Sequence, residues 1–487
     1  MRHLAAATVL SCALLAGALL AGAAPAPAAD IGANDDTGKF EADAGAAQYG
    51  QMVALGLRQV VIPVRFRPSE PLVIQGKPLL DETIPAARSA GLKVVLAVYP
   101  YPTRELEAGL GSPSLFGSYA GALAEIYPQV KQFTIGNEPN QPAFWRPQFG
   151  AGGQNVSAAA FGQYLATAYD ALKAVDPAIT VVGVGLSPRG NDRPDAKSNI
   201  STSPVRFLRA LGAWYRASRR DRPLMDAFGF HPYPNKATDP LDRGYSWPDA
   251  GFVNLDRIKQ ALWDAFDGTP QPTTLQGLKL DLDEVGWQVG TGGEPGYSDA
   301  ENVPVTDELT QALIYDELVR RAACDPDVAE VSFFGFRDDG SRLGFQAGLA
   351  RLDGTLRPAA SAVARAITDT AGGCATPPAP WLPSHDVLGA RVEVVASHSA
   401  LQVDVGAGED ARALVCAGPS ESVHGRRLTG IPRTTCRAVL VAGLHTLPVP
   451  LRQPLGVSRR VEVRVLLRAR ANVFRRTRLA VEAVLDH

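Results

Sequence analysis

Two glutamates stand where their chemistry needs explaining. Glu138 closes the stretch Phe133-Thr134-Ile135-Gly136-Asn137-Glu138-Pro139-Asn140, and Glu284 closes Leu280-Asp281-Leu282-Asp283-Glu284-Val285-Gly286-Trp287. Each stretch has strand character, so each carboxylate is expected at the end of a strand. Pro139 disfavours an α conformation in the residue before it, which predicts an extended Glu138. Two carboxylates across a cleft can flank one bond, one kept protonated while the other stays ionised, as glycosidic cleavage requires. Burial and the second carboxylate are expected to raise the pKa of Glu138, the acid and then base, leaving Glu284 as nucleophile. Asp281 and Asp283 share the strand of Glu284. Period two groups Leu280, Leu282 and Glu284 on one face, predicting an inward Glu284 with the two aspartates pointing elsewhere; Glu284 is therefore preferred to Asp283.

Other side chains fit around this pair. Asn137 is placed to hydrogen-bond a sugar hydroxyl, Arg65 ends Val60-Val61-Ile62-Pro63-Val64-Arg65, and His231-Pro232-Tyr233-Pro234 ends a further apolar stretch. Tyr99, Tyr101, Trp145, Trp247 and Trp287 are candidates for stacking on sugar rings, Trp287 foremost, although aromatics near strand ends serve equally as core or lid. Of seven histidines only His231 lies between residues 30 and 374, which argues against a three-histidine or binuclear metal site. No Gly-x-Ser-x-Gly elbow appears, although a lone Ser-His pair stays open. No metal or organic cofactor is expected.

Eight repeats position these residues. Short stretches rich in Val, Ile and Phe (31–34, 59–66, 93–99, 132–137, 180–185, 226–231, 278–284 and 331–336) alternate with segments of helical periodicity such as 158–175, 204–218 and 306–324. Strand and helix alternation implies a parallel sheet. Eight pairs fit a (β/α)8 barrel over residues 30–374; the alternative is an open doubly wound sheet, for which no Gly-x-Gly-x-x-Gly turn follows the first strand. In a barrel, strands four and seven face one another. Pro- and Ala-rich residues 375–380 read as a linker, and residues 381–487 as a small all-β, sandwich-like domain. That tail holds 15 Arg, no Lys and 9 Asp plus Glu. Its excess charge suggests a polyanion such as an acidic cell-wall polymer, or simply a solvated basic face. With only Trp381 and Phe474 as large aromatics, it is expected to be a packing or spacer domain.

Residues 1–29 carry Arg2 and His3, an Ala/Leu-rich run and Ala26-Pro27-Ala28-Ala29, the pattern of a removable bacterial secretory signal; a retained membrane anchor is the rival. Cys12 would leave with it. Four cysteines remain, and sequence order suggests Cys324–Cys374 and Cys416–Cys436, one of three connectivities, with a zinc site the competing reading. A secreted monomer is expected, without stable membrane insertion. The formal charge of −2 over 487 residues gives no general reason to bind nucleic acid.

These motifs resemble the retaining glycoside hydrolases of the large (β/α)8-barrel clan with glutamates on strands four and seven, which includes cellulase-like and β-xylosidase-like enzymes. The resemblance covers residues 30–370. Gly136-Asn137-Glu138-Pro139-Asn140 matches the clan's Asn-Glu-Pro signature, implying Glu138 as acid/base, and Asp283-Glu284-Val285-Gly286-Trp287 resembles the nucleophile pattern. The resemblance implies that His231 and Tyr233 border the reacting sugar, Tyr233 contacting the nucleophile, and that Arg65 supports the same carboxylate. Where many members end strand eight with Trp, this chain has Phe333-Phe334, which bears on which sugar is bound. The implied activity is hydrolysis of β-glycosidic bonds. A barrel that binds glycan without turnover, or a transglycosylase using the same pair, are the alternatives.

Overall fold

A computed structural model describes residues 29–374, 376–396, 400–419, 435–450 and 460–484; the apolar leader, with Cys12, lies outside the described residues. Eight parallel strands, β1 (Asp30–Asn34), β2 (Gln59–Phe66), β3 (Lys93–Pro100), β4 (Gln132–Ile135), β5 (Thr180–Leu186), β6 (Ala227–Phe230), β7 (Lys279–Val285) and β8 (Val328–Phe334), pair in chain order. The ring closes where β8 pairs β1 from Asp30↔Glu330 to Asn34↔Phe334. The sheet is thus a closed barrel and not an open one.

Alternation along the strands explains the layering. Val60, Ile62 and Val64 of β2 share one apolar core with Leu80, Ile84 and Ala87 of the helix Lys77–Ala90. The next helices repeat the device: Ser157–Val175 buries Phe161, Leu165, Ala168 and Leu172 at three- and four-residue spacing. The residues between, which face the lumen, include Val61, Val95 and Ala97 as a small cluster of their own.

Much of the lumen is polar, where barrels of this kind usually stack branched apolar side chains. Gln132 of β4 donates across the barrel to Asp281 of β7 at 3.1 Å and to Glu330 of β8 at 2.7 Å. Lys93 of β3 also pairs with Glu330, and Gln59 of β2 donates to Ser332 of β8 at 3.0 Å. Asp281 and Asp283 therefore point inward, while Leu280 and Leu282 join the outer core. This reverses the facing expected from period two. The reason is local: the register of β7 against β8 shifts between Leu282 and Val285, so Glu284 reaches the mouth of the barrel without sharing the leucines' side.

Among the described residues the tail is one five-stranded antiparallel sheet. β10 (Ala400–Pro419) carries β11 (Thr435–Pro450) along one edge; on its other edge β9 (Arg391–Ala396) pairs the first half and β12 (Arg460–Ala469) the second, with β13 (Arg476–Val484) beyond β12. A break in register between Ala407 and Ala411 lets the sheet curl around Leu401, Val403, Val461, Val463 and Val465. It seats on two barrel helices. Arg475, fully buried, forks onto Glu409 at 2.7 and 2.9 Å and reaches Asp264 of Leu255–Phe266 at 2.7 Å. Asp410 takes Arg206 and Arg209 of Pro204–Ser218 at 3.0 and 2.9 Å. Disulfides join Cys324 to Cys374 and Cys416 to Cys436. Among the described residues no helix is long and apolar enough to cross a membrane.

Candidate active site

A cavity of about 720 Å³ opens at the C-terminal ends of the barrel strands and is lined by Asn137, Glu138, Tyr233, Asp283 and Glu284 among others. The turn after β4 depends on Gly136, with φ 113°; a Cβ there would stand 2.6 Å from the Phe161 ring and 2.7 Å from the Val184 carbonyl oxygen. Two residues on, the Glu138 amide donates to the Gly185 carbonyl at 2.7 Å. Glu138 is not extended but left-handed, with φ 42°. Pro139 keeps it from the right-handed helical region, and the bond across to β5 draws it to the other side of the map. Asn140, fully buried, fastens this loop to the next: it accepts from the Ser187 amide at 3.0 Å and donates to the Thr202 carbonyl at 2.9 Å.

His231 is the hub. Its Nδ1 lies 3.2 Å from Glu138 Oε1 and 3.4 Å from Glu284 Oε2, and its Nε2 lies 3.4 Å from Asp283 Oδ1. Two carboxylates from opposite strands thus touch a single ring nitrogen. Glu284 receives two further hydrogen bonds, from the Tyr233 hydroxyl to Oε2 at 3.0 Å and from Asn34 Nδ2 to Oε1 at 3.2 Å. Glu138 has only His231 as side-chain partner among the described residues.

Burial opposes charge on His231, but the charges of Glu284 and Asp283 and hydrogen bonds to Asp283 and Glu138 outweigh it and hold the imidazole well above its usual range. Glu284 carries a raised carboxyl, which burial first, then the charges of Glu138 and Asp283, push up to about 7 against the pull of His231 and Tyr233. Deeper in the lumen, burial and the neighbouring Glu330 and Asp283 charges hold Asp281 well above the ordinary carboxylate range.

The other expected site residues divide. Asn137 and Tyr99 line the cavity. Arg65 also lines it but does not hold Glu284: it hydrogen-bonds Tyr99, and its guanidinium lies 4.8 Å from the Tyr101 ring. Asn34 takes the supporting place expected of Arg65. Trp287 is core, 1% exposed, its indole N–H donating to the Asp239 carbonyl at 2.9 Å. Trp145 packs edge-on against Phe161 and Tyr164, and Trp247 lies under Arg206, so neither presents a face to the cavity. Aromatic surface in the cavity comes instead from the half-buried Phe334 and Phe345, which pack edge to face with one another and with Tyr233 at 5.2–6.3 Å. Sequence reasoning missed Asn34 and Phe345: β1 is short, and Phe345 sits in a loop with no periodicity. The position of Asn34 at the end of a barrel strand was the one available signal. Asp35 next to it accepts the amides of Phe336 and Arg337 at 2.7 and 2.8 Å, joining the ends of β1 and β8.

No family model and no curated protein matches the chain. Among solved structures it is similar to a family 39 glycoside hydrolase from the gut symbiont Bacteroides cellulosilyticus WH2, at 14% identity and TM-score 0.48 over 87% of this chain and 81% of that one. It is also similar to GH5_18 from Streptomyces cattleya in complex with GlcNAc, at 18% identity and TM-score 0.48 over 74% and 84%. A third similar structure is an exo-beta-1,4-mannosidase from Opitutaceae bacterium strain TAV5, at 15% identity and TM-score 0.46 over 71% and 60%.

Proposed function

We propose that this chain is a secreted retaining glycoside hydrolase that cleaves β-glycosidic bonds of an oligosaccharide or polysaccharide by double displacement. The observation that carries the proposal is the contact of Glu138 and Glu284, from opposite strands, with one nitrogen of His231 at 3.2 and 3.4 Å in an open cavity. Oxygens so placed favour the separation of about 5 Å used for nucleophilic attack over the roughly 6.5–9.5 Å that leaves room for an inverting water.

The hydrogen bonds support the division of labour. Glu284 accepts from Tyr233 and Asn34 on its two oxygens, which orients it and favours its ionised form, so Glu284 attacks the anomeric carbon. Glu138 keeps one oxygen free of protein partners among the described residues and protonates the leaving oxygen; it then takes a proton from the water that releases the glycosyl-enzyme. His231, charged between three carboxylates, lets them crowd into one site. Asn137 binds a sugar hydroxyl, Tyr99 and Arg65 border the bound ring, and Phe334 with Phe345 forms an apolar wall for it. Two disulfides and the leader sequence support export to an oxidising compartment.

Hydrolysis of a panel of aryl β-glycosides and β-linked polysaccharides tests the reading. The native chain should turn over at least one, and Glu138→Gln and Glu284→Gln should not. Azide should rescue Glu284→Gly by giving the inverted glycosyl azide; a retained azide product from that variant would exchange the two roles. Binding without turnover across the panel would leave a glycan-binding barrel.

A further inference from the structure

The pairing register of the tail shows where part of its arginine excess goes. Arg412 of β10 stands opposite Arg468 of β12, and Arg468 opposite Arg476 of β13. Arg478 follows two residues along, opposite Leu466. All four are exposed, while their neighbours Ala411, Ala413, Leu467 and Ala469 are buried in the tail core. The four therefore share the outer face of the sheet, on strands about 4.8 Å apart. Arg464 pairs with Glu462 and Arg475 with Glu409, whereas these four have no carboxylate partner among the described residues. Like charges directly opposite one another destabilise a sheet, so the row costs the fold something until an anion lies on it. At the end of the row, in the turn between β12 and β13, Phe474 is 85% exposed.

We propose that this face docks a linear, carboxylate-bearing polysaccharide, with guanidinium groups taking its carboxylates and the Phe474 ring taking a sugar face. The guanidinium fork matches a carboxylate in two parallel hydrogen bonds, which suits Arg in a row that contains no Lys. A single ring is too few to stack successive bases, and an anionic bilayer, which the exposed Leu440 opposite Arg412 and Leu414 two residues along would also meet, is the outcome that the vesicle arm of the test separates. The choice of a sugar polymer among polyanions rests on the glycoside hydrolase reading. Such a surface would hold the barrel on its substrate without taking part in bond cleavage.

Retention of the full chain on immobilised polygalacturonate, on neutral galactan, on phosphatidylglycerol vesicles and on single-stranded DNA tests the proposal without any turnover. Polygalacturonate should bind best, with affinity falling as salt is raised. The triple variant Arg412→Gln/Arg468→Gln/Arg476→Gln should bind it at least about tenfold more weakly, and Phe474→Ala a few-fold more weakly, both with a Tm no lower than that of the native chain and unchanged turnover of a small aryl glycoside. Equal retention on galactan, tighter binding to vesicles or DNA, or a triple variant that binds like the native chain would overturn it. A chain that binds polygalacturonate through these residues but hydrolyses no glycoside would sink the catalytic reading alone.

Discussion

The barrel lumen and the outer face of the tail sheet both set charged side chains side by side on neighbouring strands, and they treat those charges in opposite ways. In the lumen Lys93, Gln132, Asp281 and Glu330 answer one another, and at the mouth His231 stands among Glu138, Asp283 and Glu284. On the tail Arg468 lies between Arg412 and Arg476, and none of the three has a carboxylate partner among the described residues. A buried charge left alone costs several kcal/mol, so the lumen must be nearly complete in itself, whereas water makes an exposed row cheap enough to keep for a partner. Self-sufficient charge marks the place where groups are fixed for chemistry; unanswered charge marks a surface open to recognition.

The contrast is tested first at the mouth. Glu284→Gln keeps the shape of the site and removes the carboxylate proposed to attack, so kcat should fall by roughly 10⁴-fold or more, measured on an activated aryl glycoside. Deeper down, Glu330→Ala strands Lys93 and Gln132 and should lower stability by about 2–4 kcal/mol in urea unfolding, toward the lower end because Lys93 is partly exposed. Asp281→Asn should cost less than about 1 kcal/mol, because a protonated Asp281 already serves as donor to Glu330. Equal losses from the two substitutions would mean that the lumen does not work as a graded network.

A pH series adds the next test. The folded pKa of Glu284 lies near 7, above its ordinary 4.5, so its contribution to stability is full below about 4.5 and lost as pH rises to 7. Against Glu284→Gln, the native chain should lose on the order of 3 kcal/mol across that window. His231, also raised, adds a loss of the same sign at higher pH. Catalysis should run the other way, kcat/KM rising toward pH 7 as Glu284 ionises; a flat profile there would remove Glu284 as nucleophile. The smallest effect belongs to the tail, where Arg412→Gln should stabilise the free protein by about 0.5 kcal/mol, visible as a slightly higher Tm.

The barrel was legible because its repeat is long and regular: eight strand and helix periods survive local irregularity. Glu138, Glu284, His231 and Tyr233 were legible as strand-end residues, and the structure brings them together. What failed did so at irregular points. Alternation misread β7 because the register slips between Leu282 and Val285, so Glu284 does not share the leucines' side and the aspartates are the inward set. The rule for residues before proline described what Glu138 avoids, and a hydrogen bond to Gly185 decided what it adopts. Tryptophans looked like sugar platforms by position alone, yet a large ring beside a helix layer gains more from burial, as Trp287 and Trp145 do. Asn34 replaced Arg65 as support for Glu284 because short side chains near the rim can reach what a long one, drawn to Tyr99 and Tyr101, does not.

The bond between Cys324 and Cys374 joins the end of the helix Glu308–Cys324 to the chain just beyond the last barrel helix, enclosing β8 and the loop of Phe345. A chain tethered by its tail while water flows past would be pulled at that junction. Force entering at residue 374 would cross the sulfur bridge directly to residue 324, leaving the strand that closes the ring, and the aromatic wall above it, outside the line of tension.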